Sequence, residues 1–184
     1  MKTNMKIMLV SFVFALLMSC GTSNRIVNPS ENSRTLDEMV TARQFKIEVE
    51  RVRPLTTTSL NAVLNSGMLP PGNTGSQINV MGDGSYFKME GDSVSADLPY
   101  FGERQMNGGY NSDSGIKFKG TFEDLIIEKD DAKQRYDIRF QISENSEHFQ
   151  ILLTLFPNLK GTIAITSSQR FAIQYDGQIV AIKE

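Results

Sequence analysis

The chain has 184 residues and a formal net charge of -2, which allows one good hydrophobic core and is short for two. Hydrophobic residues at 40% and charged residues at 22% are the proportions of a soluble domain and argue against wholesale disorder. Lys and Arg do not cluster, which argues against nucleic acid, and the single cysteine, Cys20, excludes an internal disulfide and a Cys-rich zinc site.

The N-terminus has the layout of an export leader. Lys2 and Lys6 precede an apolar run from Ile7 to Met18, too short for a mature membrane span and typical of a signal-peptide core. Leu17-Met18-Ser19-Cys20-Gly21 resembles the lipobox of bacterial lipoproteins, with an aliphatic residue three before the cysteine and a small one just before it. In that chemistry a diacylglyceryl thioether forms on Cys20, cleavage frees its amine, and a further chain such as palmitate can follow. Each buried methylene contributes about 0.8 kcal/mol, so two or three chains anchor stably. Loss of residues 1–19 removes Lys2 and Lys6 and takes the net charge from -2 to -4. Residues 20–34 are polar and read as a lipidated tether. No acidic cluster follows Cys20, which favours the periplasmic face of the outer membrane within the cell envelope.

Residues 35–184 read as one β domain. At its start Leu36, Met39, Val40 and Arg43 fall at helical spacing, so a short helix is predicted over Thr35 to Gln44. The period then becomes two. Phe45, Ile47 and Val49 alternate with charged residues, as on a half-buried strand. Phe87 and Met89, then Val94, Ala96 and Leu98, repeat the pattern, as do Ile138, Phe140 and Ile142. Phe149, Ile151, Leu153 and Leu155 hold one face, while Leu152 and Phe156 add apolar groups to the other, as in a central strand. Ile163 and Ile165, then Phe171, Ile173 and Tyr175, and finally Ile179 complete the set. Gly82-Asp83-Gly84, Gly91-Asp92, Asp130-Asp131, Pro157-Asn158 and Asp176-Gly177 read as turns between strands. The expected fold is all-β and mainly antiparallel, a single-domain meander closing into a barrel or sandwich. Two stretches stand outside it as long loops, Pro54 to Gly75 and Pro99 to Gly115, and such loops are often functional.

Asp92-Ser93-Val94, Leu98-Pro99-Tyr100-Phe101-Gly102, Gly115-Ile116-Lys117-Phe118 and Tyr175-Asp176-Gly177-Gln178-Ile179 together resemble a family of Bacteroidetes lipoproteins, that of domain of unknown function 4251. The resemblance spans most of the mature chain and implies a predominantly β domain on an exported lipoprotein. It brings no activity, ligand or catalytic residue.

Chemistry-bearing residues are sparse. His148, the one histidine, opens a strand and cannot by itself build a His-rich metal site. Ser112-Asp113-Ser114-Gly115 matches the surroundings of some serine nucleophiles, but a nucleophile needs a base and a group orienting that base. Asp83, Glu90, Asp92, Asp97, Glu123, Asp124, Asp130 and Asp131 are mostly assigned to turns, where Asp bonds its own backbone. A hydrolase of envelope polymers would need two of them facing one cleft. Neither Asp83 nor Asp92 has calcium-loop spacing, and Gly108-Gly109 lacks the lysine pattern of a phosphate cradle. Tyr100, Phe101 and Tyr110 are the candidate binding residues of the loops, either as anchors for a partner or as a plug for one end of a barrel. The reading is therefore a non-catalytic lipoprotein with no cofactor or metal, held to a membrane through Cys20. Its partner is an envelope protein, or alternatively an apolar ligand carried in a barrel cavity, and the hydrolase is the remaining alternative.

Overall fold

A computed structural model describes residues 30–55, 57, 58, 62, 73–102 and 115–182. Cys20, Tyr110, the Ser112 to Ser114 part of the serine motif and most of the Pro54 to Gly75 loop lie outside the described residues. Helix α1 spans Glu31–Ala42. The strands are β1 Gln44–Pro54, β2 Ile78–Asn79, β3 Tyr86–Glu90, β4 Ser93–Leu98, β5 Ile116–Thr121, β6 Glu123–Asp130, β7 Arg135–Glu144, β8 Glu147–Leu155, β9 Lys160–Ser167 and β10 Ile173–Val180.

All ladders are antiparallel, in the order β5-β4-β3-β1-β10-β9-β8-β7-β6, with β2 added to the far half of β1. The two ends of this order are neighbours in sequence, because only Phe122 separates β5 from β6. The sheet therefore curls round and nearly closes, which settles the expected fold in favour of a barrel. Closure occurs at a seam where β5 lies against β7 without a ladder. There the Lys119 N–H donates to Glu144 Oε2 at 3.4 Å, and the Phe118 and Phe149 rings pack 5.5 Å apart.

The alternation read from sequence is the barrel's inside-outside alternation. Phe45, Ile47, Phe87, Met89, Leu98, Ile138, Leu153, Leu155, Ile163 and Tyr175 are all fully buried, each contributing about 1.5–3 kcal/mol of hydrophobic stabilisation. Phe87 meets Phe140 at 6.0 Å across the interior, and Phe140 meets Phe122 at 5.7 Å, so aromatic rings bridge the two halves. Phe171 does not join this set. It lies just before β10 and is half-buried.

Helix α1 starts at Glu31, four residues before the predicted Thr35, because Ser30 caps it by accepting from the Ser33 N–H at 3.1 Å. It ends at Ala42, and Arg43 is its left-handed cap (φ 53) instead of a face residue. Leu36, Met39 and Val40 are buried at one end of the barrel. Ser33 Oγ donates to Gln134 at 3.0 Å, and the Tyr136 hydroxyl donates to Asp37 at 2.8 Å. Lys129 pairs with Asp37 at 2.9 Å, and that hydrogen bond raises the lysine above its ordinary pKa against the opposing effect of burial.

Three further expectations need correction. Asp176-Gly177 is not a turn but lies inside β10. Gly177 faces β1 where the register slips between Val49 and Arg51, and a Cβ there would collide with the Glu48 carbonyl. Glycine at this point serves a bulge and a close backbone approach. The carboxylates are also less turn-bound than expected: Asp83, Asp92 and Asp131 are in turns or bends, but Glu90, Asp97, Glu123, Asp124 and Asp130 are in strands. Finally, β5 and β6 appear where no strand was assigned. β6 escapes because its sequence, Glu-Asp-Leu-Ile-Ile-Glu-Lys-Asp, does not alternate.

Candidate functional site

Both long loops leave the barrel at the end opposite α1. β1 exits there at Pro54, opposite Ile173 of β10, while β4 exits at Leu98, opposite Ile116 of β5. The Leu98 to Gly102 run lies across this end, and each of its residues has a structural task. Leu98 is fully buried. The Pro99 carbonyl accepts the Tyr175 hydroxyl at 2.9 Å, and burial holds that phenol well above the ordinary tyrosine pKa range despite the opposing pull of Arg170. The Tyr100 hydroxyl accepts the Phe171 N–H at 3.0 Å. Phe101 packs on the core edge. Gly102 leaves the tyrosine room, since a Cβ there would sit 2.7 Å from the Tyr100 hydroxyl oxygen. Of the three candidate loop residues, Tyr100 and Phe101 are thus half-buried against the core, and Tyr110 lies outside the described residues.

Beneath them is a charged pair that the sequence reading did not single out. Arg170 Nε and Nη2 donate to the two Glu147 oxygens at 2.9 and 3.1 Å, a bidentate geometry. The side chains are 5% and 11% exposed. Ser167 Oγ donates to the same carboxylate, Arg170 Nη1 donates to the Gly115 carbonyl at 2.9 Å, and the guanidinium lies 5.2 Å over the Tyr100 ring. One arginine thereby clasps the chain just before and just after the 103–114 connection. The available signal was phase: Glu147 sits in register with Phe149 and Ile151 on the buried face of β8, where an unpaired charge would be unfavourable.

His148, one residue on, points outward, and its Nδ1 is 2.7 Å from Ser143 Oγ across the β7–β8 hairpin. The ring is exposed and, among the described residues, joins no cluster with the carboxylates above.

A second feature lies on the barrel's outer wall. Ile126 of β6, half exposed, continues toward Leu152 and Ala164 on β8 and β9, and with Arg139, Gln141 and Gln150 they line an open depression of about 440 Å³. Ile127 is 39% exposed as well, on the opposite face of the same strand, where it stands across from buried Ile138.

No curated protein is similar enough to the chain to serve as a relative. A crystal structure of a DUF4251 family protein from Bacteroides eggerthii, at 15% sequence identity, has a similar fold, with a TM-score of 0.54 over 82% of this chain and 87% of that one. The family model for that domain of unknown function matches residues 28–179, which take in the helix, every strand but the last residue of β10, and both features above: the chain belongs to the DUF4251 family.

Proposed function

We propose that this protein is a non-catalytic envelope lipoprotein that works by binding a partner on the outside of its barrel, with the lipid on Cys20 as its anchor. One observation carries the binding half: among the described residues the inward-facing side chains of the barrel pack into one core, while Ile126 and Ile127 stand exposed on β6 beside half-buried Leu152 and Ala164. A carrier places its ligand in an apolar cavity of several hundred cubic ångströms, and here Phe45, Phe87, Phe118, Phe140 and Phe149 occupy the space a ligand would take. An exposed apolar patch on a packed domain marks a contact surface.

The anchor half rests on the lipobox-like Leu17 to Gly21 run and on the family domain beginning at residue 28, after the leader and acceptor cysteine. Cys20→Ala is expected to leave an uncleaved precursor that takes up no labelled palmitate in its host. Normal uptake by that variant would refute the anchor.

A further inference from the structure

We propose that β6 is a docking edge for an extended strand of a partner protein, one with an apolar centre flanked by Lys or Arg. The proposal rests on the interaction reading above and names the partner's chemistry. Among the described strands β6 is hydrogen-bonded to β7 alone, and its other edge ends the ladder. Leu125-Ile126-Ile127 is an unbroken apolar run of the kind found in strands covered on both faces, yet it stands at an edge. Ile126 is 50% exposed on the outer face and Ile127 39% exposed on the inner face. A strand added alongside would satisfy the free backbone groups and shield both isoleucines at once, as in recognition by strand addition.

Charge selects the occupant. β6 carries Glu123, Asp124, Glu128 and Asp130 against Lys129, a formal -3. Lys129 is directed to Asp37 at 2.9 Å, while Glu128 and Asp130 have exposed partners in Arg139 at 3.3 Å and Lys133 at 3.5 Å, pairs weak enough for an incoming cation to exchange with. A second copy of β6 would set -3 against -3, whereas a basic-flanked strand is complementary. The bulge at Asp124 (φ 54), where register shifts between Glu123 and Ile126, ends the regular ladder at Ile126. The apolar centre of the added strand therefore meets Ile126 and Ile127, and its basic flanks meet Glu123 and Asp124 on one side and Glu128 and Asp130 on the other.

The test uses the chain from Gly21 to Glu184, which contains the helix and every strand. The 15N-labelled protein is titrated with the peptide Lys-Lys-Val-Ile-Val-Lys-Lys and with its counterpart bearing Glu at each Lys. Amide shifts are expected along Ile126 to Asp130, with the basic peptide at least about ten-fold tighter. Ile126→Lys is expected to weaken it by about ten-fold while leaving amides away from β6 unchanged. Equal binding of the two peptides, shifts mapping elsewhere, or an unaffected Ile126→Lys protein would overturn the proposal. So would concentration-dependent dimerisation that protects β6 amides, which would make a second copy the occupant. Protection in the monomer that vanishes when residues 21–29 are removed would make it the chain's own tether. None of these results touches the broader interaction reading, which fails instead if the protein leaves its host's envelope with a ligand inside.

Discussion

Glu147→Ala is expected to lower the unfolding free energy by about 3–5 kcal/mol, the usual cost of removing one member of a buried ion pair. The Arg170 guanidinium is 5% exposed, so water cannot replace the carboxylate. Among the described residues its other contacts, the Gly115 carbonyl and the Tyr100 ring, carry no formal charge. The double variant Glu147→Leu with Arg170→Met removes both charges and keeps similar volume, and is expected to recover most of the loss. Urea unfolding of the three proteins decides the matter. A single-variant loss below about 1 kcal/mol would place the pair with solvent-screened surface bridges. Recovery in the double variant would show that the pair adds little net stability over an apolar replacement.

Gly177→Ala is expected to destabilise by at least about 3 kcal/mol, at the upper end of overpacking effects. The added methyl would strike the Glu48 carbonyl, which is backbone and cannot swing aside, and would lie 3.0 Å from Ile47 Cγ2. Relief requires parting β1 from β10, the ladder that joins the first half of the barrel to the second. Gly161→Ala is the control. Its Cβ would meet the tips of Ile47, Ile179 and Leu155 at 3.2 to 3.4 Å, side chains able to shift, and a loss of about 1 kcal/mol is expected. Similar losses at both sites would mean that β1 and β10 approach less closely than described.

These two cases also mark what could be read in the sequence. Phe45, Ile47 and Val49, or Ile138, Phe140 and Ile142, announce their strands because one face meets the core and the other meets water. That physics imposes period two, and it made the all-β class legible. β6 was illegible for the converse reason: it hangs beyond the seam, neither face is fully covered, and its Leu-Ile-Ile run between acids has no period. Asp176-Gly177 misled because the pair favours turns, whereas Gly177 is demanded by a neighbouring strand whose approach depends on tertiary pairing. The helix start was hidden because Ser33, a polar residue, is buried only through its bond to Gln134 about a hundred positions away. The candidate site divides similarly. Tyr100 and Phe101 stood out as aromatics on a loop, but their attachment to Phe171 and the core edge is set by residues far along the chain. Arg170 and Glu147 needed the fold to bring them together, although the buried phase of Glu147 was available.

The most direct test of a surface-binding, lipid-anchored barrel is native mass spectrometry of the protein purified from its own host's envelope. The expected mass is that of residues 20–184 carrying acyl groups on Cys20, with no further stoichiometric small molecule. A mass that retains the leader, or an additional lipid or metabolite that survives removal of detergent, would contradict the anchor or the filled interior respectively.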